Sequence, residues 1–76
     1  MEEILKTMIE SLVENSDSVT ITKKEEDTFI IFEVKVAEED MGRVIGKQGR
    51  MAKSIRTIIK AIALKEKKKV RVEFVG

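Results

Sequence analysis

The run TFIIFEVKV at positions 28–36 carries an apolar residue at every second position from Ile30. Ile30, Phe32, Val34 and Val36 fall on one side of an extended chain, and Phe29, Ile31, Glu33 and Lys35 fall on the other. The first side is apolar at every position, so it must meet a core. Slipping the register by one residue would turn that whole set to water. This strand excludes an all-helical fold and requires an amphipathic layer to cover it.

Two segments supply most of that layer. In EEILKTMIESLVEN, Ile4, Leu5, Met8, Ile9, Leu12 and Val13 recur at i, i+1, i+4, i+5, i+8 and i+9, one stripe of a helix. Glu2 and Glu3 suit its positive N-terminal end, and NSDS (15–18) stops it. RMAKSIRTIIKAIALKE is the strongest helical signal. Met51, Ile55, Ile58, Ile59 and Ile62 form its predicted core stripe, with Arg50, Lys53, Arg56 and Lys60 opposite. A short helix within AEEDMGRVIG begins behind the acids Glu38, Glu39 and Asp40 and ends at Gly46.

SVTITKK reads as a strand with Val19 and Ile21 on one face. The charged turn Glu25–Asp27 separates it from the second strand, so the two pair antiparallel. VRVEFV reads as the last strand, with Val70, Val72 and Phe74 inward, after a solvated KKK linker. It returns through a two-helix crossover, a connection that joins parallel strands. The predicted fold is α+β, in the order α-β-β-α-α-β. It is a three-stranded mixed sheet with three helices on one face, in one domain over 1–76.

Composition narrows the chemistry. The 76 residues include no cysteine and no histidine. Disulfides and thiolate metal sites are thereby excluded, and the commonest general base and metal ligand are missing. Nothing argues for acid–base catalysis, so an enzyme, a cofactor and a small-molecule substrate are not predicted. No apolar run approaches the roughly 20 residues of a membrane span. The acidic start MEEILK has the wrong sign for a signal peptide. A soluble, cytoplasmic protein is the expectation.

The net charge of +1 hides a segregation. Residues 1–40 carry four lysines against twelve acids, a balance of −8, and residues 41–76 carry eleven Lys/Arg against two acids, a balance of +9. Such asymmetry points to a polyanion partner for the basic half. Pairing of the two halves within the fold is the alternative.

The basic half opens on GRVIGKQGRMAKSIR, Gly42 to Arg56, which holds three of the four glycines. A nucleotide P-loop needs four residues between its glycines and then Lys-Ser/Thr. Here three residues separate Gly42 from Gly46, and Gln48 stands in place of the hydroxyl. A helix-turn-helix reader of duplex DNA fits loosely, but this pair lies between parallel strands. A ligand-free connector explains Gly46 as a helix end and Gly49 as a helix start. It does not explain Arg43, Lys47, Arg50, Lys53, Arg56 and Lys60 with no acid among them. A backbone clamp explains both features. Two glycines without Cβ atoms let a sugar–phosphate chain approach. The loop then opens into a helix N-terminus that favours phosphate.

VIGKQGRMAKSI (44–55) resembles the KH signature Ile-Gly-x-x-Gly-x-x-x-x-x-Ile. The element order is similar to the type II KH arrangement, and the size is similar to that of the small bacterial single-KH proteins called KhpA. One departure is Glu38, where the family pattern suggests a proline before the short helix. The resemblance implies binding of single-stranded RNA with little sequence selectivity, in a post-transcriptional regulator or RNA chaperone. It assigns the backbone-gripping loop to Gly46, Lys47, Gln48 and Gly49. Val44 and Ile45 before the loop, and Met51 and Ile55 after it, line or brace the groove. It also implies a homodimer, or a heterodimer with a larger Jag-type KH protein.

From the residues themselves, Arg50 and Lys53 are the expected additional phosphate contacts. Phe29 and Ile31, on the sheet face away from the helices, are a candidate contact surface. Two other functions stay open: a KH-fold dimerisation module with no nucleic-acid ligand, and a single-stranded DNA binder.

Overall fold

The computed structural model describes residues 1–75. Helix α1 spans Glu2–Leu12, strands β1 and β2 span Thr20–Glu26 and Phe29–Lys35, helices α2 and α3 span Met41–Ile45 and Arg50–Lys65, and strand β3 spans Lys69–Val75. Single 3-10 turns at Ser16–Ser18, Glu38–Asp40 and Lys47–Gly49 join them. The α+β class, the element order and the three-stranded mixed sheet agree with the sequence reading.

The sheet order is β1-β2-β3. β1 and β2 pair antiparallel from Thr20↔Lys35 to Glu26↔Phe29. β2 and β3 pair parallel from Phe29↔Lys69 to Lys35↔Val75, as the two-helix crossover requires. The hairpin is tighter than expected. Glu25 and Glu26 belong to β1, and the turn is only Asp27 and Thr28. Asp27 takes φ 48°, a left-handed position that aspartate tolerates without glycine.

The apolar face of β2 meets the core as its alternation demands. Ile30, Phe32 and Val34 are buried, as is Val36 just beyond the strand, with Val70 and Val72 beside them. Leu5 and Ile9 of α1 and Ile55 and Ile59 of α3 cover them. Each such side chain contributes roughly 1.5–3 kcal/mol by leaving water.

Two predicted core positions are corrected. Met51 is 37% exposed and Ile58 is 47% exposed. The inward face of α3 is instead Ala52, Ile55, Ile59 and Ala63. Small alanines let the helix sit close to the sheet, which rotates Met51 and Ile58 onto its flank. Periodicity ranks residues by size and so gave that stripe to the isoleucines.

Asp40 is the one buried charged residue among those described. Its carboxylate accepts the Glu14 N–H at 3.2 Å, the Asn15 N–H at 3.0 Å and the Asn15 side-chain amide at 3.0 Å. Burial alone would raise its pKa. The hydrogen bonds from Asn15 and Glu14, with the charge of Arg43, outweigh burial and hold the carboxyl below its ordinary 3.8. Asp40 thus ties the end of α1 to the start of α2, directly before the glycine loop.

Candidate nucleic-acid interface

The loop that joins α2 to α3 is built by three unusual backbone positions. Gly46 has φ 78° and ψ 175°, a region open essentially to glycine alone. Gln48 (φ 58°) and Gly49 (φ 73°) are both left-handed. The two glycines serve different ends. A Cβ on Gly46 would lie 2.5 Å from Met51 Cβ and 2.8 Å from the Met51 backbone nitrogen, so the fold itself requires glycine there. A Cβ on Gly49 would meet nothing within 4 Å; it would project into open space on the outside of the loop. Gly42 sits inside α2 with equally open space, and no special conformation requires it.

The loop's own hydrogen bonds run from Gly46 N–H to the Gly42 carbonyl at 2.9 Å and from Gly49 N–H to the Gly46 carbonyl at 3.2 Å. The Lys47 and Gln48 amides, first in their turn, have no backbone acceptor among the described residues. No side chain caps α3. The Arg50 N–H donates to the Lys47 carbonyl, and the positive end of the α3 dipole faces the loop, an arrangement that favours an anion. Lys47 and Gln48 are exposed. The Gln48 side-chain carbonyl accepts from the Arg50 guanidinium at 3.2 Å, which keeps that cation at the loop.

The basic residues divide into two sets. Arg43 is paired, with Glu14 at 2.9 Å and Asp40 at 4.0 Å. Lys68 is paired with Glu25 at 2.8 Å, and that hydrogen bond and charge hold its ammonium above the ordinary 10.5. Arg43 and Lys68 are the two cations of the basic half that pair with acids of the acidic half among the described residues. Lys47, Arg50, Lys53, Arg56 and Lys60 have no acidic partner there. Charge segregation is thus left largely uncompensated along α3.

Beside this stripe runs a groove of about 600 Å³ between α3 and the edge strand β3. Arg56, Lys60 and Leu64 line one wall, and Lys68, Lys69, Val70 and Val72 the other. Lys53, Arg56, Lys60 and Leu64 follow helical i, i+3 and i+4 steps, so Lys53 extends the groove wall toward the loop. Of the apolar positions expected at the groove, Val44 is fully buried and braces α2. Ile45 is half-buried, Ile55 lies in the core, and Met51 is exposed with its backbone against Gly46. Sequence reasoning counted Arg56 and Lys60 among the basic residues but chose only Arg50 and Lys53 as contacts, and read Lys68 and Lys69 as a solvated linker. Spacing alone put Arg56 and Lys60 on a solvated face; only the position of β3 shows that they face a cleft. Phe29 and Ile31 are half-buried, and the Arg71 guanidinium lies 5.8 Å from the Phe29 ring centre.

A Gly-x-x-Gly loop set between the short helix α2 and the long helix α3, with α3 packed along a mixed sheet of this order, defines a KH-type domain. The KhpA/KhpB KH-domain profile matches residues 2–74, and the chain belongs to that family. It is 55% identical to the RNA-binding protein KhpA of Caldanaerobacter subterraneus, over 99% of this chain and 100% of that one. It is 53% identical to the protein of the same name from Clostridium acetobutylicum, with the same coverage. The KhpA of Aquifex aeolicus is 38% identical over 96% of this chain and 92% of its own. These relatives carry the name of a binding protein, a non-enzymatic class. No helix among the described residues is long and apolar enough to cross a membrane.

Proposed function

We propose that this protein binds single-stranded RNA in the cytoplasm, with Gly46–Gly49 gripping the sugar–phosphate backbone and the α3–β3 groove receiving bases. The observation that carries the reading is the uncompensated row Lys47, Arg50, Lys53, Arg56 and Lys60 leading from the open amides of the loop into the groove. The names of the relatives support RNA as the ligand. A grip on phosphates positions the strand without reading its sequence, so selectivity is low, as suits a regulator or chaperone acting on many RNAs.

The test replaces Lys47 and Gln48 together by aspartate. Binding to a short single-stranded RNA, followed by fluorescence anisotropy, is lost, while the melting temperature stays at the wild-type value. Binding equal to wild type would show that the loop is not the grip. A parallel titration with DNA of the same sequence measures the sugar preference and tests the DNA alternative.

A second activity has its own observation. Ile4 is 46% exposed and Ile58 is 47% exposed. Ile58 lies two residues past Arg56, about 200° round α3, and so faces away from the groove. We assign the Ile58 flank of α3 to self-association or to pairing with a larger Jag-type KH protein. Sedimentation of wild type and Ile58→Asp checks the homodimer. An unchanged sedimentation coefficient would place any contact elsewhere.

A further inference from the structure

The groove beside α3 continues past the edge of the sheet. Its lining takes in Arg56, Lys60 and Val72 on the helix side of β3, and Phe29, Lys69 and Arg71 on the opposite side of the sheet. The burial of Val70 and Val72 fixes that division, because alternate residues of a strand point to opposite faces. The register places Lys69 beside Phe29 and Arg71 beside Ile31. The cavity therefore wraps around the free edge of β3, and no acid lines it among the described residues.

The edge itself is open to a polar chain. The Lys69 N–H donates to the Thr28 carbonyl at 2.8 Å, so Lys69 turns its main-chain groups toward β2, and Val70 and Val72 turn theirs outward. At Val72, Arg56 Nε donates to the carbonyl at 3.0 Å, which holds a cation on the edge that a strand would cross.

Beyond the edge lies a flat surface. The Arg71 guanidinium stands 5.8 Å from the centre of the half-buried Phe29 ring. An aromatic ring and a guanidinium are the two kinds of side-chain plane on which unstacked bases lie. Lys69, next to the ring, has no acidic partner among the described residues. The contact of Arg71 with Glu73 is 3.7 Å long and exposed at both ends, so it leaves most of that charge to a ligand. Glu26 bounds the surface on the β1 side of Phe29.

We propose that single-stranded RNA leaving the groove crosses the free edge of β3 and lays a further base on Phe29 and Arg71, outside the roughly four nucleotides that a Gly-x-x-Gly loop clamps. The inference rests on the RNA-binding reading above and adds to it a second contact site on the other side of the sheet. Its chemistry is stacking, which accepts any base because every base has a π-face.

The test measures a uridine tetramer and a uridine octamer by fluorescence anisotropy. Phe29→Leu removes the ring and keeps an apolar side chain. It lowers octamer affinity about tenfold, the order of one stacked base, and leaves tetramer affinity unchanged. Arg71→Met also weakens the octamer alone. The chain has no tryptophan, so Phe29→Trp sets a single reporter at the surface, quenched by the octamer and not by the tetramer. Octamer affinity equal to wild type in Phe29→Leu, or a loss shared equally by both lengths, overturns the inference while leaving RNA binding intact. If Phe29→Leu does not fold, the other two variants decide. Octamer binding without quenching in Phe29→Trp, or at wild-type affinity in Arg71→Met, overturns it too. The Lys47/Gln48 double aspartate variant lowers affinity for both lengths, and so reports on the grip separately from the added site. Absence of any wild-type RNA binding removes both readings.

Discussion

Replacing each loop glycine by alanine separates the work of the fold from the work of the ligand. At Gly46 the new Cβ would stand 2.5 Å from Met51 Cβ and 2.8 Å from Met51 N. The second neighbour is backbone at the start of α3 and has little freedom to yield. Holding an L-residue in that sparsely populated region costs about 1–3 kcal/mol. Forcing a methyl group into a filled site adds about 1–3 kcal/mol more. For a domain of this size, roughly 4–8 °C of melting temperature accompanies each kcal/mol. Gly46→Ala therefore melts more than about 10 °C below wild type. At Gly49 the Cβ meets nothing, and the cost is that of one left-handed residue, about 1–2 kcal/mol. Its methyl group instead projects outward, where a phosphate would approach. Gly49→Ala thus loses more RNA affinity for each degree of melting temperature than Gly46→Ala does. Thermal melts by circular dichroism and anisotropy titrations well below both midpoints measure the two effects. A Gly46→Ala protein that melts within about 3 °C of wild type would refute the steric reasoning.

The other predictions follow from pairing and burial. Lys53→Ala lowers the slope of log affinity against log salt by about 0.7, the value for one phosphate of a single strand. Arg43→Ala leaves that slope unchanged, because Arg43 is already paired with Glu14. Asp40→Ala melts at a lower temperature than Glu39→Ala, since it strands the Glu14 and Asn15 amides. Because the folded-state pKa of Asp40 lies below 3.8, its stabilising contribution is whole above that pH. It is lost as pH falls through the lower folded-state value. An acid titration of melting temperature shows this loss in wild type and not in Asp40→Asn. Ile59→Ala destabilises by about 2–5 kcal/mol in urea unfolding, while Ile58→Ala, on the exposed flank, changes monomer stability by less than about 0.5 kcal/mol.

Much of the fold was legible because alternation and helical spacing are local properties. Ile30, Phe32 and Val34 had only one way to be buried, and the parallel return of β3 followed from the length of the crossover. The errors arose where a nonlocal neighbour decided. Met51 and Ile58 looked like core until the close approach of α3 gave their place to Ala52 and Ala63. Asp40 looked like a solvated helix-end charge, because nothing near it in sequence reveals that Asn15 will reach it. At the site, the glycine spacing and the loop cations could be read directly. The groove wall could not, since Arg56 and Val72 are sixteen residues apart and meet only once the sheet is assembled.

Closure of the sheet has a consequence for the order of folding. The hairpin of β1 and β2 is joined by two residues, whereas the β2–β3 ladder begins by pairing Phe29 with Lys69. Local contacts form quickly, and distant ones must first meet the entropy of closing a long chain segment. The basic face of α3 can thus exist before the cleft beside it. A chain emerging from the ribosome would display positive charge ahead of its groove, and its grip on RNA would mature only when β3 docks. Ribosome-bound chains halted before and after β3 emerges would differ accordingly: the shorter would hold RNA weakly, and the longer with full affinity.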